Sequence, residues 1–243
     1  MAGKRSIGWL RAPRMTETEL AKRGAHLAEQ LGRDDPLWPG QLAALAAIAL
    51  YFLLPSKLKL GPGWPLPTAE LVAFLSLTYV TRRRGRAMTR RLTAIVIVLV
   101  AILANLVALG LLVHYLLKGG KASGANLIDG GIVIWSTNLL LFTVLYWLLD
   151  RGGPLGPIVE DDRAWPDFLY PEMNENGKYA PHNWKPNFVD YLYVSLTNQS
   201  AFSPTDTLPL TLRAKVFMGV QGTASLVTVG IIVARAVNIL GAA

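Results

Sequence analysis

The fold predicted for this chain is decided by the stretch Asp190-Tyr-Leu-Tyr-Val-Ser-Leu-Thr197, which continues as Asn198-Gln-Ser-Ala-Phe-Ser-Pro-Thr-Asp206. The first piece is amphipathic and too short to cross a bilayer, and the second is polar and turn-prone. An apolar run over residues 216–240 follows and is long enough to span. A non-helical return survives at membrane depth only when it is buried in protein or lines water. The sequence therefore predicts a re-entrant loop before a last transmembrane helix.

Composition identifies an integral membrane protein. Apolar residues make up 52% of the 243 residues, charged residues only 16%, and the apolar residues come in long blocks. The net charge of +8 is therefore assigned loop by loop and does not indicate a nucleic-acid partner. The chain has no cysteine, which excludes disulfides, thiol catalysis and cysteine metal sites. The first apolar run begins only after residue 40, so it is expected to remain as a span.

Four segments follow from these blocks: a cytoplasmic segment with a short amphipathic helix at 1–36, four transmembrane helices within 37–150, a polar connection at 151–187, and the re-entrant loop with the last helix at 188–243. Thr16 and Glu19 form a capping box for the first helix. The four spans are predicted at 38–54, 68–81, 92–117 and 132–149. The fold class is therefore all-α, with about five transmembrane helices.

The deciding stretch also resembles the pore unit of potassium channels. There, Leu-Tyr-x-Ser precedes a filter Thr-Val-Gly-Tyr-Gly-Asp, and Pro and Thr follow before the inner helix. Counting from Ser195, residues Asp206, Pro209 and Thr211 match the Asp, Pro and Thr without a gap, and Lys215 matches a basic residue at the inner-helix start. The whole chain is similar to an uncharacterised bacterial family of five-span membrane proteins with this pore-loop-like segment. That second resemblance implies architecture more than activity.

The filter itself differs from the potassium type. Ser203 and Thr205 stand where the filter glycines would be, and Pro204 fixes its φ near about −65°. We therefore expect that the stack of inward carbonyls cannot form. Four copies would instead surround a constriction lined by hydroxyls and amides beside a ring of Asp206, which favours cations over anions with weak selectivity. The predicted pore residues are Thr197, Asn198, Gln199, Ser200, Ala201, Phe202, Ser203, Pro204, Thr205 and Asp206.

The same segment has a second interpretation. Ser203-Pro-Thr-Asp206 is also an ordinary turn, in which Asp206 bonds nearby backbone amides. With Phe202 plugging the axis, the chain would be a non-conducting scaffold or accessory subunit with a pore-loop-derived fold. The two functions remain open at the level of sequence.

Polar residues within the spans are expected to face other helices or water. The candidate positions on the last helix are Gly219, Gln221, Gly222 and Ser225, with Gln221 predicted to face the pore axis. Gly219, Gly222 and the pair Gly230 and Ala234 are compatible with either gating bends or close helix packing, of which packing is preferred, and Arg235 is expected to reach the interface. In the earlier spans they are Asn105, His114 and Asn138. Interhelical hydrogen bonds are the expected role for Asn105 and His114, with an ion pathway or proton relay as the alternative for His114.

Arginines set the predicted orientation. Six of them lie within residues 82–91, between two predicted spans, which places this connection and the N-terminus in the cytoplasm. Five spans then put the re-entrant loop on the cytoplasmic side, as in the inverted pores of glutamate receptors and opposite to potassium channels. The acidic run Glu160-Asp-Asp162 and His182 lie in the connection at 151–187, which is predicted to be a solvated loop over the pore mouth.

Enzymatic function is not expected. The three histidines are scattered, and the sequence has no zinc-protease helix, nucleophile elbow or phosphate-binding loop. No cofactor and no metal are expected either. The predicted partners are the bilayer of the cell membrane, other copies of the chain in a homotetramer, and monovalent cations.

Overall fold

The structure, a computed structural model, describes residues 37–59, 87–117, 124–150, 153, 166–173, 184–200 and 206–240. Several sequence predictions lie outside these residues. They are the N-terminal helix within 1–36, the span at 68–81, the arginines at 82–86, the acidic run at 160–162, His182, and the filter residues 201–205.

Five α-helices make up most of the described chain. They are α1 Trp38–Leu53, α2 Ala87–Leu117, α3 Gly124–Leu149, α4 Phe188–Ser200 and α5 Leu212–Leu240. Three stretches, Arg91–Leu117, Leu127–Leu149 and Leu212–Asn238, are long and apolar enough to cross a membrane, whereas α1 has only 16 residues. The predicted helical membrane architecture is confirmed to that extent, and the count of five spans stays a prediction.

Helix α3 lies at the centre of the bundle. Its final part, residues 141–150, is buried on every side, because α1, α2, α4 and α5 all pack against it. Each of these four helices runs antiparallel to α3. We call the end of the bundle where α3 finishes the Asp150 end, and the opposite end, where α3 starts, the Gly124 end.

Contacts along α3 establish the direction of α1 and α2. The Cα of Gly40, near the start of α1, packs against Trp147, and Leu58, just after α1, packs against Gly130. Arg91, near the start of α2, bonds the carbonyl oxygen of Leu148. Both helices therefore begin at the Asp150 end, and Lys59 and Ala87 lie at opposite ends of the bundle. The chain between them has to connect the two ends.

Helices α4 and α5 also begin at the Asp150 end. A two-stranded antiparallel sheet joins β1 Phe168–Leu169 to β2 Leu208–Pro209. The amide of Leu210 extends it by donating to the carbonyl oxygen of Asp167 at 2.8 Å. Since β2 directly precedes α5, this sheet holds the start of α5 at the same end of the bundle as the start of α4.

Three helices are longer than the sequence predicts. Helix α2 starts at Ala87, so Arg90 and Arg91 are helical rather than part of a loop. Helix α3 starts at Gly124 instead of 132, and α5 at Leu212 instead of 216. For α5 the reason is local: Thr211 caps the helix, with its Oγ1 accepting from the amide of Ala214 at 3.3 Å.

The connection at 151–187 is not simply a solvated loop, which corrects that prediction. Within its described part, Asp167, Phe168 and Tyr170 are buried. The Phe168 ring meets Tyr146 of α3 edge-on at 5.1 Å, and the Tyr170 ring meets Tyr191 of α4 at 5.9 Å. This aromatic packing anchors the connection to the bundle at the Asp150 end.

Candidate functional site

Helix α4 starts with a reciprocal cap. The side-chain oxygen of Asn187 accepts from the amide of Val189 at 2.8 Å, and the carboxylate of Asp190 accepts from the amide of Asn187 at 2.7 Å. This arrangement satisfies two free amides of the first turn, in the manner of a capping box. The helix then buries one face, which carries Phe188, Tyr191, Val194, Ser195, Asn198 and Gln199.

Four side-chain amides meet in the bundle interior, and we call Asn138, Asn198, Gln199 and Gln221 the amide cluster. Gln221 is its centre and has no exposed surface. Its Oε1 accepts from Tyr146 Oη at 2.7 Å and from Asn198 Nδ2 at 2.9 Å. Its Nε2 donates to Ser195 Oγ at 2.7 Å and to Gln199 Oε1 at 3.2 Å. One side chain thus joins α3, α4 and α5.

Gln199 makes a second set of bonds across the same three helices. Its Nε2 donates to the carbonyl oxygen of Trp135 at 2.7 Å, and its Oε1 accepts from Asn138 Nδ2 at 3.1 Å. The backbone carbonyl oxygen of Gln199 accepts from Ser225 Oγ at 2.7 Å, and Ser225 Oγ in turn accepts from Trp135 Nε1 at 2.9 Å. The C-terminal end of α4 is therefore fixed to α3 and α5 by paired polar groups.

These contacts correct two predictions about the pore segment. Asn198, Gln199 and Ser200 are helical rather than part of a turn, because the side-chain amides of Asn198 and Gln199 bond neighbouring helices instead of local backbone. Gln221 was expected to face the pore axis, but its side chain has no exposed surface and lies inside the bundle. Ser200 is exposed and donates to the carbonyl oxygen of Leu196, and Thr197 is half-buried and donates to that of Tyr193.

A charged group lies at the Asp150 end, and we call Asp150, Asp167 and Arg213 the end clamp. Arg213 donates to both carboxylate oxygens of Asp167, from Nε at 2.6 Å and from Nη2 at 2.5 Å. The Thr211 hydroxyl donates to the same carboxylate. Asp167 is 1% exposed and the Arg213 side chain 49% exposed. The acid is thus enclosed while its cation reaches the surface, a bidentate geometry typical of strong arginine–carboxylate pairs.

Asp150 links this ion pair to α4. Its Oδ1 accepts from the backbone amide of Asp167 at 2.6 Å, and its Oδ2 accepts from Tyr191 Oη at 2.8 Å. Arg91 completes the end by donating to the carbonyl oxygens of Leu148 and Leu149 at 3.0 and 2.8 Å. These are free carbonyls of the last turn of α3, where a cation is favourable.

Of the other residues that the sequence singles out, some form the expected contacts and others do not. Asn105 forms the expected interhelical bond, from its Nδ2 to the carbonyl oxygen of Ile134 at 3.2 Å. His114 does not: it is exposed and contacts the adjacent Tyr115 ring edge-on at 5.9 Å. Asp206 is exposed beside β2, and Gly219 on α5 is exposed with no side chain near it. Gly222 faces the carbonyl oxygen of Asn198.

Sequence reasoning missed Tyr146, Trp135, Asp167, Arg213 and the role of Arg91. A tyrosine and a tryptophan inside an apolar run look like packing residues, although each needs a partner for its polar atom when buried. Asp167 and Arg213 are far apart in the sequence, and no pattern pairs them. The one available signal was the position of Arg213 at the start of a span, where an acid partner is expected.

Comparison of the chain with protein-family models, with curated proteins and with solved structures gives no match.

Proposed function

We propose that this chain is a pore-loop protein of the bacterial cell membrane that assembles as a homotetramer and passes monovalent cations with weak selectivity. The single observation that carries the proposal is the course of the chain through α4 and back. Tyr191 of α4 bonds Asp150, whereas Gln199 bonds the carbonyl oxygen of Trp135, about 22 Å deeper along α3. The chain is again at the Asp150 end when Leu210 bonds Asp167.

A segment that enters the bundle at one end and returns to the same end follows the course of a re-entrant loop. With α3 and α5 crossing the bilayer, α4 enters from the Asp150 end, and residues 201–205 connect its deep end back to β2 on the same side. The amide cluster supports this arrangement, because each polar side chain of α4 that points into the bundle has a hydrogen-bond partner there. The cluster thus acts as the scaffold that positions the loop, and the loop carries the conduction.

The orientation follows from the positive-inside rule. Arg90 and Arg91 lie in the first turns of α2, and Arg213 and Lys215 in the first turn of α5, all at the Asp150 end. We assign this end to the cytoplasm. Lys59 and Ala87 lie at opposite ends of the bundle, which supports the span that the sequence predicts at 68–81. The loop then enters from the cytoplasm.

The selectivity of the proposed pore depends on the outward side of the loop. Ser200 and Asp206, which flank residues 201–205, are both exposed, whereas Asn198 and Gln199 face inward. In a fourfold assembly the exposed pair is available to a shared axis. A ring of carboxylates favours cations electrostatically, and hydroxyls replace part of their water shell without the strict geometry of a carbonyl stack.

Flux through purified protein in liposomes tests the proposal. We expect potassium and sodium gradients to dissipate and a chloride gradient to persist. No flux of any ion, from protein shown to be oligomeric and correctly inserted, would contradict conduction.

Replacing Asp206 with asparagine is expected to reduce the preference for cations over chloride, because it removes the carboxylate that directly follows the loop residues 201–205. A several-fold fall in the permeability ratio corresponds to about 1 kcal/mol of lost electrostatic preference. The measurement is the reversal potential in a bilayer under a salt gradient. Asp206→Glu, which keeps the negative charge at this position, is the control and is expected to leave the ratio unchanged. An equal ratio in Asp206→Asn and wild type would contradict the assignment.

A second function, a non-conducting scaffold or accessory subunit, is favoured by the amide cluster itself. Its side chains bond one another and nearby backbone within one chain, so the inner face of α4 offers no polar lining to a pore. Copurification with one partner in fixed proportion, together with absence of flux, would support this function.

A further inference from the structure

Helices α1 and α2 both pack along α3 but scarcely touch each other. Between them lies a narrow cleft with an enclosed volume of about 20 Å³, which we call the α1–α2 cleft. Small residues of α1 and α2 form its walls and α3 forms its floor, with Ala47 on α1, Ala101, Ala104 and Ala108 on α2, and Thr137 on α3. Alanines at such a position let the backbone of a further helix come close in a membrane.

A polar group in the cleft lacks a partner. Thr137 is only 7% exposed, yet its hydroxyl forms no hydrogen bond with any residue that the structure describes. Asn105, which also lines the cleft, uses its Nδ2 on the carbonyl oxygen of Ile134, and its Oδ1 accepts from no described residue. Unpaired polar groups are costly inside a bilayer. A lipid chain has no donor for these oxygens, whereas a helix that carries a hydroxyl does.

The chain between α1 and α2 begins and ends at the borders of this cleft. Lys59 follows the short 3₁₀ turn Ser56–Leu58, which packs on α2 at the Gly124 end, and Ala87 starts α2 at the Asp150 end. Residues 60–86 therefore leave one wall of the cleft and reach the other after crossing the bundle. Because consecutive elements are usually neighbours in space, the span predicted at 68–81 is expected beside both α1 and α2.

The sequence of this span places small residues on one face of a helix, which we call the small face. Its members are spaced by four, three and four positions and are Ala69, Ala73, Ser76 and Val80. The opposite face carries Leu71, Phe74 and Thr78. A span with this pattern can approach a cleft walled by alanines through its small face and turn its bulky face to lipid.

The hydroxyl of the small face lies at the depth of Thr137. The span at 68–81 has its middle between residues 74 and 75, and Thr137 lies in the middle of α3, Gly124–Leu149. Both segments run from the Gly124 end to the Asp150 end. When the span is centred on α3, Ser76 comes within about 3 Å of the level of Thr137.

We infer that the span at 68–81 packs into the α1–α2 cleft through its small face, where the Ser76 hydroxyl bonds Thr137. The inference goes beyond the proposed function, and it depends neither on conduction nor on the homotetramer. It names the surface of the described bundle that receives the span, and the residues of the span that meet it.

Cysteine cross-linking tests this placement, since the chain has no cysteine of its own. After oxidation in membranes, the Ser76→Cys, Thr137→Cys double variant is expected to resist labelling of both thiols by a polymer-linked maleimide once the protein is denatured. The Thr78→Cys, Thr137→Cys pair is the control, because position 78 has a similar depth but the opposite face, and it is expected to stay labelled. Equal labelling of the two pairs, as expected if a lipid chain fills the cleft, would overturn the inference, and so would bonds formed only between copies.

A bulky substitution gives a second readout. Ala73→Phe is expected to lower the SDS fraction at which the protein unfolds, because a large side chain on the small face holds the span away from the alanines of the cleft. Leu71→Phe enlarges the opposite face and is expected to leave that midpoint unchanged. The same midpoint in both variants would contradict the packing, whether or not either variant conducts.

Discussion

Replacing Gln221 with leucine is expected to lower the free energy of unfolding by about 2–4 kcal/mol. The substitution keeps side-chain volume but removes the acceptor of Tyr146 Oη, and Tyr146 is fully buried on α3. It also removes the hydrogen bonds to Asn198, Ser195 and Gln199, so several hydrogen bonds between α4 and α5 are lost at once. Each interhelical bond in a membrane contributes about 0.6 kcal/mol, whereas an orphaned buried hydroxyl costs about 1–3 kcal/mol. Reversible unfolding in mixed SDS micelles measures the change.

Two matched variants separate hydrogen bonding from packing. Tyr146→Phe combined with Gln221→Leu removes the orphaned hydroxyl and is expected to recover part of the loss. Thr93→Val alters an exposed hydroxyl on α2 that bonds only its own helix, and its effect is expected to stay within about 0.5 kcal/mol. A Gln221→Leu protein as stable as Thr93→Val would mean that the amide cluster does not hold α4 in place.

The two single substitutions that break the end clamp are expected to lower the free energy of unfolding by different amounts. Arg213→Met leaves the enclosed carboxylate of Asp167 without its cation, which costs about 3–5 kcal/mol for a buried pair. Asp167→Asn leaves a guanidinium that is already half exposed and can turn to water, so we expect about 1–2 kcal/mol. The same unfolding titration measures both losses.

The double variant completes the cycle. Arg213→Met combined with Asp167→Asn is expected to be more stable than Arg213→Met alone, because no unpaired buried charge remains. Equal losses from the two single variants, or a double variant at the sum of both, would show that Asp167 is not the enclosed partner.

Hydropathy alone was sufficient to predict the long helices. The apolar runs that became α2, α3 and α5 exceed the thickness of a bilayer, and no local signal competes with that length. The sequence predicts the starts of these helices several residues too late, because the polar residues and glycines in their first turns are typical of loops. Arg90 and Arg91 illustrate this: arginine marks a cytoplasmic connection but is also a good helix former.

The candidate site was predictable only in part. Tyr191, Val194, Ser195, Asn198 and Gln199 follow helical spacing, so one face of α4 could have been predicted through Gln199. Local turn propensity argued for a break at Asn198, and the tertiary bonds to Gln221 and Trp135 override it. Which helices supply those partners is decided by three-dimensional packing, for which a single sequence carries no information.

The claim on which the proposed function depends is that the chain enters and leaves the membrane on one side around α4. Single cysteines at Lys185, Asp206 and Leu117, all exposed, can be labelled in the otherwise cysteine-free chain by a membrane-impermeant reagent. We expect the cysteines at 185 and 206 to react only in inside-out vesicles, and the one at 117, at the Gly124 end, only in right-side-out vesicles. Labelling of 185 and 206 from opposite sides would contradict a re-entrant loop, because α4 and its continuation would then cross the membrane.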